Sequence, residues 1–289
     1  MDNTISFEGI GTHWEIEIYT PITPSQLGFL QLVIKQRVEK YDRLYSRFRP
    51  DSFVNNALLQ KGIVKLPDDF EKLLTIYNEL YKLTDGLFTP LIGQVLIDAG
   101  YDAHYSLKSK KLHSPPPWEE VADFSFPTAN IKKSVAYDFG AAGKGHLIDI
   151  VSDLLIENNV PEFCVNAGND IRLFSEKPIR IGLENPLNTK EAIGVATISS
   201  GSICGSAGNR RTWGKYHHII NPTTLQSPDT IIATWTLARE ALVADALSTS
   251  LFLVSAKKLI PHFSFEYLIL FADNTFEKSP LFPAEIFVK

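Results

Sequence analysis

The sequence predicts an α+β fold with a mostly antiparallel sheet and packed helices. Three observations carry this. Residues 12–19 alternate in polarity, as a half-buried strand does. Two later stretches repeat apolar residues at helical spacing. Strands and helices do not follow one another in a strict βαβ rhythm, which disfavours a doubly wound fold. The 289 residues suffice for one large core, and the chain reads as a single domain over 1–289.

The elements follow in order. Trp14, Ile16 and Ile18 alternate with Glu15 and Glu17 in the first strand. Thr23 suits a helix N-cap, Pro24 the first helical position, and Gln26 completes a capping box. Leu27, Leu30, Ile34, Val38 and Tyr41 then form the buried stripe of that helix. A second helix is expected from Pro67, where Asp68 and Asp69 complement the helix dipole. Phe70, Leu73, Leu74, Tyr77 and Leu80 make its apolar face. Pro115, Pro116 and Pro117 mark a stiff surface loop. Further on, a helix is expected over about 145–159 and strands over 163–165 and near 179–183. A strongly apolar helix spans about 242–254, and strands near 266–271 and 285–288 close the chain.

Composition narrows the function. The formal net charge is -5. That argues against nucleic acid, which needs a surplus of Lys and Arg on one face, yet leaves room for a local basic pocket. Cys164 and Cys204, the two cysteines, cannot build a disulfide framework or a Cys-rich zinc site. The first eleven residues lack the basic and apolar regions of a signal peptide. No run of about 18 apolar residues occurs, so no membrane span is expected. The expected location is the cytoplasm.

Four segments could carry chemistry. In Asp138-Phe-Gly-Ala-Ala-Gly-Lys-Gly-His146, the glycines let a backbone approach a ligand and Lys144 offers a cation. With a helix expected just after, its amides could face a phosphate. The alternative is a plain Gly-rich turn. It is not a Walker loop, because Asp138 stands where that motif needs Gly. In the apolar helix, Asp245 and Thr249 are four apart on one face, with Ser248 beside them. A carboxylate with hydroxyls suits Mg²⁺, and a hydrogen-bonded Asp–Thr pair is the other reading. His217 and His218 are adjacent, so on a strand they point to opposite faces and at most one enters a given site. His217 reads as structural. Val165-Asn-Ala-Gly-Asn-Asp170 is a polar turn at a strand end, either ligand-facing or simply a turn.

Taken in order, these segments resemble the ApbE family of FAD:protein FMN transferases over nearly the whole chain. Gly11-Thr12 after Ile10 is similar to the family's Met-Gly-Thr, and Ser46-Arg-Phe-Arg-Pro-Asp-Ser52 to its Ser-x-Tyr…Ser segment. Thr84-Asp-Gly-Leu-Phe-Thr-Pro90 resembles Gly-x-Phe-Asp-Pro. Asp138 through Gly145 resembles Asp-x-Gly-x-x-x-Lys-Gly, and Asn166 through Asp170 resembles Asn-x-Gly-Gly-Asp. Gly205-Ser206 with Arg211 is similar to Thr-Ser-Gly…Arg. The stretch from His218 to Thr224 resembles His-Ile-Ile-Asp-Pro-x-Thr-Gly, and Asp245 with Thr249 matches Asp-x-x-x-Thr. The chain departs from the family pattern at Ile10 (usually Met), Phe48 (Tyr), Thr89 (Asp), Asn169 (Gly), Asn221 (Asp) and Leu225 (Gly).

The resemblance implies an ApbE-like fold of two intimate subdomains, with Mg²⁺ as cofactor and FAD as substrate. Asp245, Thr249 and the Ala141 carbonyl would bind Mg²⁺, with Ser248 close by. Asp138 and Lys144 would contact FAD. Ile10, Phe48, Leu87, Phe88, Thr89 and Ile219 would line the flavin nucleotide pocket, and His218 would stand beside the attacking hydroxyl. The implied reaction moves FMN to a Thr or Ser of an acceptor flavoprotein, such as a cytoplasmic fumarate-reductase-like enzyme, and releases AMP. An FAD pyrophosphatase and a non-catalytic FAD-binding protein are the alternatives.

Overall fold

The computed structural model describes residues 3–287. Strands β1 (Thr4–Gly9) and β2 (Thr12–Ile18) form a hairpin that enters helix α1 (Pro24–Tyr45). The short helix α2 (Phe53–Asn56), strand β3 (Gly62–Lys65) and helix α3 (Phe70–Leu83) follow. Next come α4 (Gly93–Ala99), α5 (Trp118–Val121), β4 (Ala122–Ser125) and β5 (Thr128–Ile131). The long helix α6 (Gly140–Glu157) precedes β6 (Phe163–Ala167), β7 (Asp170–Asn185) and β8 (Asn188–Ala207). The small pair β9 (Thr212–Trp213) and β10 (Tyr216–His217) lies before β11 (Ile231–Ala238). Helices α7 (Ala241–Ser250) and α8 (Ala256–Leu259) lead to β12 (Glu266–Phe271), β13 (Phe276–Lys278) and β14 (Ala284–Ile286).

The main sheet runs β1-β2-β6-β7-β8-β11-β12-β13, with β14 also on β8, and every pairing in it is antiparallel. The mostly antiparallel α+β expectation therefore holds. One face carries the larger core, where Trp14, Ile16, Val165 and Ala167 meet helices α1, α3, α6 and α7. The other face buries Leu173, Leu183, Ile193, Leu268 and Phe282. A separate cluster of Val95, Leu96, Tyr101, Trp213, Tyr216 and Ile220 joins α4 to the β9–β10 pair. No helix of the described residues is long and apolar enough to cross a membrane.

Local chemistry explains the elements that the sequence made visible. Thr23 and Gln26 form the expected reciprocal box at the start of α1. Leu30, Ile34, Val38 and Tyr41 are buried on that helix, while Leu27 is only partly so. The second helix starts at Phe70 rather than Pro67, because residues 67–69 form a turn closed by Phe70 N–H on the Pro67 carbonyl (3.0 Å).

Other expectations are corrected. Helix α6 begins at Gly140, not near Gly145, so the glycine-lysine segment is helix and not a loop before one. Glycine's low helix propensity hid this, and burial against α1 and α7 overrides it. The apolar helix ends at Ser250, with turns carrying the chain on to Val254. The strand expected near 179–183 extends over sixteen residues as β7. Strands β1, β8 and β11 had no counterpart in the sequence reading. β11 is buried on most of its length and so lacks alternation, and β8 is rich in Gly and Ser. The closing strand is Ala284–Ile286, and Val288 of the expected 285–288 lies outside the described residues.

Helices α6 and α7 cross with almost no space between them. A Cβ on Gly145 would lie 2.7 Å from the Asp245 Cβ and nearer still to the Ala241 carbonyl oxygen. Both neighbours are helix backbone or buried stem, so neither can yield. Gly145→Ala is expected to cost at least about 1–3 kcal/mol through overpacking, read from denaturant unfolding midpoints.

Candidate active site

The first turns of α6 and the inner face of α7 open on one cavity of about 580 Å³. That is the size range of sites that bury small molecules. Its walls come from distant segments: Ile10 of the β1–β2 turn, Phe48 after α1, the Leu87-Phe88-Thr89 turn, Asp138, Ala141 and Lys144 of the α6 region, His218 and Ile219, and Asp245 and Thr249 of α7. The structure thus brings together every site residue anticipated from the sequence except one. Ser248 is fully buried behind the wall, where its hydroxyl meets the Asp245 carbonyl (2.9 Å) and the Ser206 hydroxyl (2.7 Å). Helical spacing explains the correction: Ser248 is three residues from Asp245 but turned toward β8, whereas Thr249 faces the cavity.

The charges are held by long-range contacts. Lys144 forms an ion pair with Asp170 of β7, which is almost fully buried. The other Asp170 oxygen accepts the Gly205 N–H (2.9 Å). One Asp245 oxygen accepts the Gly145 N–H (2.8 Å) across the helix crossing. Burial pushes the Asp245 carboxyl above the usual carboxylate range and the Lys144 ammonium below its own, while each pulls the other back toward the charged form. Asp138 pairs with the buried Arg47 and accepts the Gly140 N–H (2.6 Å), which ties the segment after α1 to the start of α6.

One wall is flat and aromatic. The Arg47 guanidinium lies 4.1 Å from the Phe48 ring centre and 4.7 Å from that of Tyr101. Tyr105 stacks on Phe48, and Arg211 donates to the Tyr101 hydroxyl (2.6 Å). Such a wall suits a planar heterocycle. Arg47, Arg49, Lys144, Arg210 and Arg211 line the cavity against three carboxylates, Asp42, Asp138 and Asp245. Arg47, Arg49, Lys144 and Arg210 are each paired with a carboxylate (Asp138, Asp42, Asp170 and Glu184), whereas Arg211 donates to a tyrosine, so the cavity is dense in cations that an anionic ligand would meet. Arg47, Tyr101 and Tyr105 escaped the sequence reading. Arg47 sits inside the Ser46-to-Ser52 segment and could have been found there; the tyrosines belong to no motif.

The histidines separate as their adjacency implied. His217 is structural: its Nε2 meets the Pro228 carbonyl (2.8 Å) and its Nδ1 accepts the Ile219 N–H (3.2 Å). His218 lines the cavity, and its Nδ1 is buried without a hydrogen-bond partner. Asn221 does not line the cavity. Its side-chain oxygen caps the Thr223 and Thr224 amides (2.9 and 3.0 Å), a task that Asp or Asn performs alike. Thr89 caps the turn that follows it, accepting the Leu91 N–H (3.2 Å).

Fold and cavity together define an α+β protein with a partly aromatic, Arg- and Lys-lined pocket of the size that enzymes use for small molecules. A family model described as the ApbE family matches residues 10–265, and the chain belongs to that family. It is 26% identical over 301 residues to the FAD:protein FMN transferase of Haemophilus influenzae, covering 95% of this chain and 83% of that one. It is 20% identical to the FAD:protein FMN transferase of Rhodobacter capsulatus, over 86% of this chain and 51% of that one. The fold matches the ApbE protein of Thermotoga maritima with a TM-score of 0.84 at 21% identity, covering 99% and 100% of the two chains. It matches the flavin transferase ApbE of Vibrio cholerae at 0.79 and 19% identity, covering 96% of each.

Two histidines set a pH prediction, His146 in the core and His218, which is partly exposed at the cavity but has its Nδ1 buried. Burial pushes His218 down to about 3 and His146 down to about 4. Both rings stay neutral in the folded protein, while the unfolded chain binds protons below about pH 6.5. Their contribution to stability is therefore full above that pH and is lost as pH falls toward the folded values. The raised carboxyls of Asp149 (to about 6) and Asp245 act in the opposite sense, so the histidine contribution is read as a difference: between about pH 7 and about pH 5 the melting temperature of His146→Gln should fall less, or rise more, than that of wild type. An unchanged slope in that variant would remove His146 as a source.

Proposed function

We propose that this protein transfers FMN from FAD to a Thr or Ser hydroxyl of another protein, releasing AMP in an Mg²⁺-dependent reaction. The observation that carries this is the convergence of Lys144, Asp245, Thr249 and Ala141 on one arginine-rich cavity with an aromatic wall. The names of the relatives support the same reading.

Among the described residues no three His, Cys, Asp or Glu side chains cluster as a metal cage. Asp245, Thr249 and the Ala141 carbonyl supply only oxygen and only one carboxylate. That fits Mg²⁺, which takes few protein ligands and completes its shell with substrate phosphate and water. When bound, the ion offsets charge on the diphosphate oxygens.

The remaining work falls to the chain itself. The acceptor oxygen bonds to the FMN-side phosphorus, the bond from that phosphorus to the AMP oxygen breaks, and the hydroxyl proton is lost. Phosphoryl transfer is mostly positioning and charge stabilisation. Lys144, fixed by Asp170, holds a cation against the phosphates. The Arg47–Phe48–Tyr101 wall stacks on a ring of the dinucleotide. His218, kept neutral by burial, orients the hydroxyl; the arriving phosphate charge raises its proton affinity and lets it accept the proton.

Purified protein with FAD, Mg²⁺ and candidate acceptors should give a fluorescent flavin band on a denaturing gel. Asp245→Asn and Lys144→Gln should each lower AMP release by on the order of 100-fold. AMP release at full rate without any acceptor would instead mark water as the nucleophile. FAD binding with no AMP formed would leave only a binding role.

A further inference from the structure

We infer that Asp149 and Arg172, which touch no part of the cavity, form a positioning pair that sets the spacing between Lys144 and the Asp245–Thr249 donors. This inference rests on the Mg²⁺ reading above and goes beyond it.

Helix α7 lacks a cap of its own. Glu240 stands at its N-cap and makes no side-chain bond to the helix. Its first amides still need partners, because the opening turn of a helix has no intrahelical acceptor. Asp149, from the third turn of α6, supplies them. Its Oδ1 accepts the Ala241 N–H (2.9 Å) and its Oδ2 the Leu242 N–H (2.8 Å). Four residues earlier on α6, the Gly145 N–H is taken by Asp245 of α7 (2.8 Å). Each helix thus gives a carboxylate to the other's backbone, and the two grips act on adjacent turns. With a glycine at the crossing, the helices cannot slide or roll without losing one of them.

Strand β7 fixes the same clasp from behind. Asp170 and Arg172 are two apart and share a sheet face. Asp170 pairs with Lys144, and Arg172 donates from Nη1 to Asp149 (2.6 Å). One strand face therefore reads two charges of opposite sign on α6. Asp149 and Arg172 are both buried, so their contact is not a screened surface pair. A buried carboxylate bonded three ways holds its place rigidly. Its position decides where α7 begins, and Asp245 and Thr249 follow one and two turns later.

The test uses the full chain with FAD and an acceptor protein that gives a fluorescent band in the gel assay above. Three quantities are measured for wild type, Asp149→Asn and Arg172→Lys: the Mg²⁺ concentration for half-maximal AMP release, the Mg²⁺-induced rise in melting temperature with FAD present, and FAD affinity in EDTA. In Asp149→Asn the half-maximal Mg²⁺ concentration should rise about tenfold or more, as for outer groups that orient metal ligands. The Mg²⁺-induced rise in melting temperature should shrink, while FAD affinity in EDTA stays within about twofold, since the charged wall is intact. Arg172→Lys keeps the charge but loses the guanidinium's contacts with Asp149 and the Phe174 ring, and should raise the Mg²⁺ requirement by less than Asp149→Asn does. If Asp149→Asn does not fold, the double variant Asp149→Asn/Arg172→Met, which leaves no unpaired buried charge, is read in the same way. A folded variant lacking Asp149 whose Mg²⁺ requirement matches wild type overturns the inference, whatever its melting temperature. A wild type indifferent to Mg²⁺ overturns the metal assignment and this inference together.

Discussion

The crossing of α6 and α7 at Gly145 is the contact on which the rest of the site depends. A residue with any side chain there would push α7 away from α6 and with it Asp245. The close approach lets the Gly145 amide reach the Asp245 carboxylate, and it places Lys144, the preceding residue, beside the same carboxylate. Burying such charges is costly unless each is paired and hydrogen-bonded. Here Asp170, the Gly145 amide and the Gly205 amide meet that demand. The cavity that results mixes charged groups with apolar and aromatic ones, the composition expected of a small-molecule site.

The departures from the family pattern read differently once their backbone is known. Leu225 and Asn169 both have positive φ, 57° and 74°. Glycine suits such positions, asparagine tolerates them, and leucine does so at a local cost. Ile10 has φ of 46° and lines the cavity, so a β-branched side chain is held there in a sparsely populated conformation. Such strain persists only where surrounding structure enforces it, and it gathers at functional sites. Thr89 and Asn221 keep the capping hydrogen bonds that an aspartate in either place would make. None of these changes touches Lys144, Asp245 or Thr249.

Much of the local structure was legible in the residues themselves. The capping box at Thr23, the alternation through Trp14, Ile16 and Ile18, and the stripe of α3 are short-range patterns whose physics lies within a turn or a strand. The four-residue spacing of Asp245 and Thr249 likewise put both on one helix face. The pattern failed where packing overrode propensity. Three glycines hid the first turns of α6, and burial on most of β11 erased the alternation that marks a strand. Ser248 looked like a neighbour of the proposed metal donors because sequence distance does not say which side of a helix meets the sheet.

Chemical identity was thus written in the chain: which groups could bind phosphate, which could bind a hard cation, and which family pattern they follow. Their mutual placement was not. Lys144 meets Asp170 across 26 residues, Asp149 caps a helix that begins 92 residues later, and Arg47 reaches Asp138 across 91. Such contacts follow from sheet register and from the distance at which two helices cross. Both are set by the packing of the whole core, and no window of the sequence contains them.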